Sequence, residues 1–197
     1  MFVERCRFAG LNGGSSVSDI EIQLITEADY EEVIEFEINN REFLRKTVPG
    51  RDDDLFYHPQ KLRELFEKQL AANKTGERFS YLIRNCNGDL AGRCHLYDIM
   101  RGPRQKAEIG CHLSRCHAGH GIASKALRLL VREGFDTHRL HRIEASTLTT
   151  NVPAQMAVLR LGFQYVGRSE KYIWLNQEWR DCVHFAIVNP HWNRTNE

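Results

Sequence analysis

Residues 107–148 constrain the fold more than any other stretch of the chain. "AEIGCHLS" (107–114) and "HRIEASTL" (141–148) alternate apolar and polar positions as strands do, and between them Gly121 to about Phe135 carries a helical pattern. On that helix Ile122, Ala126, Leu129 and Leu130 share one face, while Lys125, Arg128 and Arg132 share another. Two strands joined through a helical crossover in one sheet run parallel and cross over right-handed. The chain must therefore hold a parallel strand pair with an amphipathic helix packed on the sheet.

The flanking segments extend that sheet by antiparallel pairing. "RFSYLIRN" and "LAGRCHLYDI" flank the turn "CNGD", which predicts a hairpin around Asn87-Gly88. "YVGRSEKYIWL" and "EWRDCVHFAIV" predict a second, closing hairpin over Asn176-Gln177-Glu178. At the front, "IEIQLI" (20–25) reads as a strand, and Thr26 with Asp29 has the spacing of a capped helix start, running to about Lys46. "TVPGRDDD" ends it, and His58-Pro59 opens a second helix with Leu62, Leu65, Phe66 and Leu70 as its apolar stripe. Asn151 caps a short helix through Leu161, with Gly162 just past its end. The class that follows is α/β (α+β): a single mixed, mostly antiparallel twisted sheet of about seven strands with about four helices on its faces. Residues 1–18, Gly/Ser-rich near their end, read as a flexible leader, 19–192 as a single domain and 193–197 as a tail.

Composition narrows the partners. In 197 residues, 27 Lys and Arg balance 26 Asp and Glu, a formal charge of +1, so no basic field is available for nucleic acid or an anionic membrane. No apolar run approaches the roughly 18 residues of a membrane span, and "MFVERCRFAGLNGGSSVS" lacks the apolar core of a signal peptide. A soluble cytoplasmic protein is expected. None of the six cysteines sits in a CxxC pair, so reduced thiols are the default. "CHLSRCH" (Cys111, His112, Cys116, His117) with His120 has metal-ligating residue types. Cys111 and His112 are strand neighbours and face opposite ways, so no metal is expected.

"RCHAGHGIASKAL" (115–127) places Gly119 and Gly121 at the mouth of the central helix, although glycine is a poor helix former. A strand leading through such a turn into a helix presents free backbone N–H groups at the positive end of the helix dipole, a cradle for phosphate. The alternative is a tight turn with small residues kept for packing. The pattern is neither a Walker loop nor a dinucleotide fingerprint: no Lys-Ser/Thr follows the second glycine, and a third glycine is missing.

"AEIGCHLSRCHAGHGIASKAL", with "NVPAQMAVLRLGF" after it, resembles the two central motifs of the GNAT superfamily of acetyl-CoA-dependent N-acetyltransferases. "NREFLRKTVPGRD" and "EWRDCVHFAIVNPHW" resemble the Rim-type branch, the ribosomal-protein alanine N-acetyltransferases, and the likeness covers roughly residues 20–192. The resemblance implies a GNAT fold with acetyl-CoA as co-substrate. His117, Ala118, Gly119, His120, Gly121 and Ile122 would hold the coenzyme pyrophosphate through main-chain N–H groups. The strand around His112 and Leu113 would pair with the pantetheine arm, and Asn151 would lie near the coenzyme. Glu108 matches the Rim-type glutamate that begins this strand and would act as general base, against the alternative of an ordinary carboxylate paired with an arginine. His112 is a weaker candidate for substrate contact.

The match departs from the family pattern at Cys116 and Ala118, where side-chain contacts to phosphate would be lost but the backbone cradle kept. Ala154 replaces a serine that in some Rim-type enzymes would protonate the leaving thiolate, and no tyrosine occurs in 151–161, so no general acid is assigned.

A peptide α-amine of pKa near 8 is about one-tenth free at neutral pH, a cost of about 1.4 kcal/mol, against about 4.6 kcal/mol for lysine. A modest base therefore suffices for an α-amine. Asp52, Asp53 and Asp54 would attract a cationic N-terminus, or form a solvated loop; Tyr172 and Trp179 would line an acceptor site, or pack the hairpin. The acceptor expected is a protein or peptide N-terminus, with a small amine (antibiotic, polyamine or amino acid) as alternative. A non-catalytic acetyl-CoA sensor stays open, as does a homodimer; no nucleic acid or membrane partner is expected.

Overall fold

The computed structural model describes residues 20–193 apart from 52. The expected leader over 1–18, the tail from 194 onward and Asp52 therefore lie outside the described residues. Seven strands, β1 (Glu21–Leu24), β2 (Phe79–Arg84), β3 (Leu90–Met100), β4 (Lys106–Leu113), β5 (Arg142–Leu148), β6 (Gln164–Leu175) and β7 (Glu178–Val188), form one sheet in the order β1-β2-β3-β4-β5-β7-β6. All neighbours pair antiparallel except β4 and β5, which are parallel and joined through a helix, as the alternation around that helix requires.

Five α-helices surround the sheet: α1 (Tyr30–Asn39), α2 (Arg41–Leu44), α3 (Pro59–Thr75), α4 (Ile122–Arg132) and α5 (Val152–Arg160). The Thr26 N–H and hydroxyl both donate to the Asp29 carboxylate, at 2.7 and 2.8 Å, setting the start of α1. The single helix expected up to Lys46 breaks at Asn40 into α1 and α2, so the described residues hold five α-helices where about four were expected. Asn40 spends its side chain on two partners, donating to the Phe36 carbonyl at 2.9 Å and accepting from the Arg115 N–H at 2.9 Å. Its backbone leaves the helix to do so, and the bond ties the end of α1 to the glycine turn.

The two sheet faces differ chemically. Ile83, Cys94, Leu96, Ile109, Leu113, Ile143 and Phe185 point to one side and form the main core with Ile122, Ala126 and Leu130 of α4 and Val158 of α5. After α4 the chain makes a wider turn, Glu133–Thr137, in which Gly134 is needed: a Cβ there would stand 2.6 Å from Ile143 Cδ1. A smaller cluster, Ile25, Val33, Phe66 and Leu82, closes the α1/α3 side near β1 and β2.

Candidate active site

Glu108 sits where the central strands part. β4 pairs with β5 over Lys106–Glu108 and Arg142–Glu144, and among the described residues the ladder stops there although both strands continue, β4 to Leu113 and β5 to Leu148. Beyond Glu108 the β5-facing edge of β4 is a row of backbone groups with no ladder partner on that side.

That free edge leads into the glycine turn. Gly119 and Gly121 have φ of +85° and +77°, the left-handed region where a Cβ strains the backbone. No atom lies within 4 Å of the position a Cβ would take on either. Their positive φ thus has no packing cause, and the space in front of the turn is open. Gly121 is the residue before α4, so the first α4 amides face this space at the positive end of the helix. Ile122 is buried in the core, leaving its N–H as its contribution. The His117 ring bonds Ser114 Oγ at 2.7 Å and Asn85 at 3.4 Å, and burial lowers its pKa against the opposing charge of Asp89. His120 is exposed. Across the fork, Asn151 Oδ1 accepts from Ala154 N–H at 3.3 Å and caps α5.

On the face opposite the main core, the β3–β4 register aligns Arg93 with His112, His95 with Gly110 and Tyr97 with Glu108. The Tyr97 hydroxyl donates to Glu108 Oε2 at 3.2 Å, and the Ser146 hydroxyl of β5 to the same oxygen at 3.4 Å. Burial pushes the Tyr97 phenol up, reinforced by Glu108, so Tyr97 stays a proton donor. Ser146 Oγ also lies 3.0 Å from His184 Nδ1, and His184 Nε2 lies 2.9 Å from Ser169 Oγ. The Tyr172 ring packs edge-on against His184, with centroids 4.7 Å apart. Glu108 does not pair with an arginine; its nearest carboxylate neighbour along the seam, Glu144, takes Lys106 and Arg142.

Deeper on the same face lies a buried charge cluster. Glu37 of α1 accepts from Arg93 Nη1 at 2.8 Å and from Arg51 Nη2 and Nε at 3.0 and 3.2 Å, with Glu37 and Arg93 each only 2% exposed. Burial alone would raise the Glu37 pKa, but His112, Arg51 and Arg93 outweigh it and hold the carboxyl well below its usual range. His112 Nε2 stands 3.6 Å from Glu37 Oε1, too far for a hydrogen bond, and burial lowers its pKa, so at neutral pH it is an uncharged neighbour. His112 thus has its ring in this cluster. Cys111 points the other way, into the core beside Cys94, its thiol pushed up to about 12 by burial. The metal-like cluster is thereby split between two faces, and no group of three His, Cys, Asp or Glu among the described residues is arranged to hold a metal.

The expected acceptor residues divide. Asp53 accepts from Leu55 N–H at 2.9 Å in the loop before α3, and Asp54 pairs with Arg41 of α2. Tyr172 joins the Glu108 network through His184. Trp179 packs on Trp174 and lines a cavity of about 310 Å³ with Leu148, Thr149, Thr150 and Asp181, at the open end of β5. A larger cavity of about 640 Å³ is lined by residues of 50–65 alone and lies away from the fork.

The central sheet thus forks, with an open glycine turn at its mouth and a carboxylate at its apex. Residues 19–164 match the acetyltransferase (GNAT) domain family. The chain is 30% identical over 171 residues to a probable N-acetyltransferase, YjcK, of Bacillus subtilis, covering 87% of this chain and 94% of that protein. It is 25% identical over 172 residues to the ribosomal protein uS5 alanine N-acetyltransferase of Escherichia coli, covering 87% of this chain and 88% of that protein. A crystal structure of the ribosomal-protein-S5-alanine acetyltransferase from Vibrio fischeri superposes with a TM-score of 0.81 at 23% identity, over 88% of this chain and 95% of that one. This chain belongs to the GNAT acetyltransferase family and is an acetyl-CoA-dependent N-acetyltransferase. No helix among the described residues is long and apolar enough to cross a membrane.

Sequence reasoning missed Tyr97, Ser146, Ser169 and His184 around Glu108, and Glu37, Arg51 and Arg93 behind them. A usable signal exists for the strand residues: Arg93, His95 and Tyr97 are polar at every second position of an interior strand. An interior strand with a polar stripe needs buried partners or a ligand on that face.

Proposed function

We propose that this enzyme transfers the acetyl group of acetyl-CoA to the N-terminal α-amine of a cytoplasmic protein or peptide, a ribosomal protein first of all. The amine attacks directly in a ternary complex, and Glu108 is the general base. The observation that carries the reading is the Glu108 carboxylate, oriented by two hydroxyls at the residue where the β4–β5 ladder ends.

The residues present fit the coenzyme. The open turn at Gly119 and Gly121 and the first α4 amides suit its pyrophosphate, and the unpaired edge of β4 past Glu108 suits the amides of its arm. The same N–H row offers donors to charge developing on the acetyl oxygen. When bound, acetyl-CoA supplies an activated acyl carbon; the chain supplies orientation and a proton acceptor. Relatives named for ribosomal-protein alanine acetylation support an α-amine acceptor, and the 310 Å³ cavity beside Trp179 offers room for the residues that follow it.

The test is thiol release from acetyl-CoA with Ala- and Ser-starting peptides, a lysine side-chain peptide, polyamines and free amino acids. Turnover confined to amino-terminal peptides is expected, with Glu108→Gln lowering kcat roughly 10²-fold and leaving coenzyme affinity unchanged. Turnover on small amines alone overturns the acceptor assignment. An unaltered kcat and pH profile in E108Q removes Glu108 as the base.

A further inference from the structure

We infer that His184 is the group that finally accepts the proton taken from the amine, through a relay Glu108–Ser146–His184 that runs out to Ser169. The inference rests on the reading of Glu108 as general base. Its observation is an unbroken line of hydrogen-bonding atoms across four strands. From Glu108 Oε2 on β4 it runs 3.4 Å to Ser146 Oγ on β5, then 3.0 Å to Nδ1 of His184 on β7. The line continues 2.9 Å from His184 Nε2 to Ser169 Oγ on β6, the edge strand of the sheet.

The chemistry favours passing the proton on. Imidazole is intrinsically a stronger base than a carboxylate, so a proton lodged on a glutamate has a chemical reason to move on to a histidine within reach of it. In the tautomer with its proton on Nε2, His184 donates to Ser169 and leaves Nδ1 open; the Ser146 hydroxyl, which donates to Glu108 while that group is a carboxylate, turns to Nδ1 once Glu108 is protonated. The amine proton goes to Glu108 Oε2. Glu108 then gives a proton to Ser146 Oγ as Ser146 gives its own to His184 Nδ1, restoring the carboxylate and leaving an imidazolium. One proton moves, and no electron pair changes owner beyond the O–H and N–H bonds made and broken. The imidazolium then gives its extra proton to solvent water at the sheet edge beside Ser169, restoring the starting state.

The groups around His184 are consistent with that role. Glu108 faces it from β4 through Ser146, and Glu144 on β5 is already neutralised by Lys106 and Arg142. From β6 come Ser169 and the edge of the Tyr172 ring. On β7 itself, the Cys182 thiol is pushed up by burial, then by Asp181 and Glu108, and stays protonated.

The experiment compares the pH dependence of kcat in the intact enzyme with His184→Gln, Ser146→Ala and Glu108→Gln, each checked for folding by its melting curve. In H184Q the acid limb of kcat should move, and kcat at pH 7.5 should fall by about tenfold or more. Added imidazole should restore part of it. S146A breaks the line while keeping His184, and should share the defect. An acid limb that stays in place in both H184Q and S146A, with E108Q impaired, overturns the relay and leaves the base standing. An unimpaired E108Q overturns both.

Discussion

Glu37→Gln tests whether the buried cluster behind the site is held by charge. Glu37 faces two guanidinium groups, and its oxygens accept from Arg51 Nη2, Arg51 Nε and Arg93 Nη1. Glutamine keeps an oxygen where Oε1 accepts from both Arg51 Nη2 and Arg93 Nη1, but presents an NH₂ group to Arg51 Nε. One charge-assisted bond, worth about 1.5–3 kcal/mol, is lost, and two others each fall by roughly 1 kcal/mol to the value of neutral bonds. The expected loss is about 3–5 kcal/mol, the range for removing one partner of a buried pair. For a domain of this size that lowers Tm by roughly 6–20 °C. Urea unfolding gives a second signature through its pH dependence. Because the folded Glu37 carboxyl titrates below its usual 4.5, its stabilisation is present in full above that pH and is lost as pH falls toward the folded value. The gap between wild type and E37Q should therefore be widest near neutral pH and shrink on acidification below 4.5. A loss under about 1 kcal/mol at pH 7, or one that does not shrink in acid, refutes the reasoning.

Two further perturbations address the fork. Gly121→Ala places a Cβ on a residue at φ +77° in open space, so it should cost about 1–2 kcal/mol of stability by strain alone and weaken coenzyme A binding measured by calorimetry; unchanged affinity would count against the turn as the phosphate cradle. Asn151→Ala removes the acceptor that caps α5 and should lower stability by about 1 kcal/mol in urea titration, with Asn151→Asp recovering most of it.

The helix between strands 107–114 and 141–148 can be read in the residues because period and length agree along one continuous segment. The break at Asn40 cannot, since its cause is a bond to Arg115, far away in the chain. The glycine pair is legible as a turn, yet its openness depends on what surrounds it in space. Glu108 entered through family likeness; its partners come from β3 and β5, and cross-strand register is not encoded in either strand by itself. In the acidic run before α3 the charge is legible in the residues but the partners are not: Asp53 accepts from the Leu55 N–H within its loop, while Asp54 pairs with Arg41 of α2.

The parting of β4 from β5 bears on how a product leaves. An extended ligand lying in that slot is held by main-chain groups spread along its length rather than by a few deep anchors. Each such bond is exchanged for one to water at a small net cost, of order 1 kcal/mol. Departure can then proceed as unzipping, one amide at a time from the wide end, and the barrier at any moment is that of a single rung. On the proposed reading of the fork as the coenzyme slot, a long grip would thus go with stepwise release.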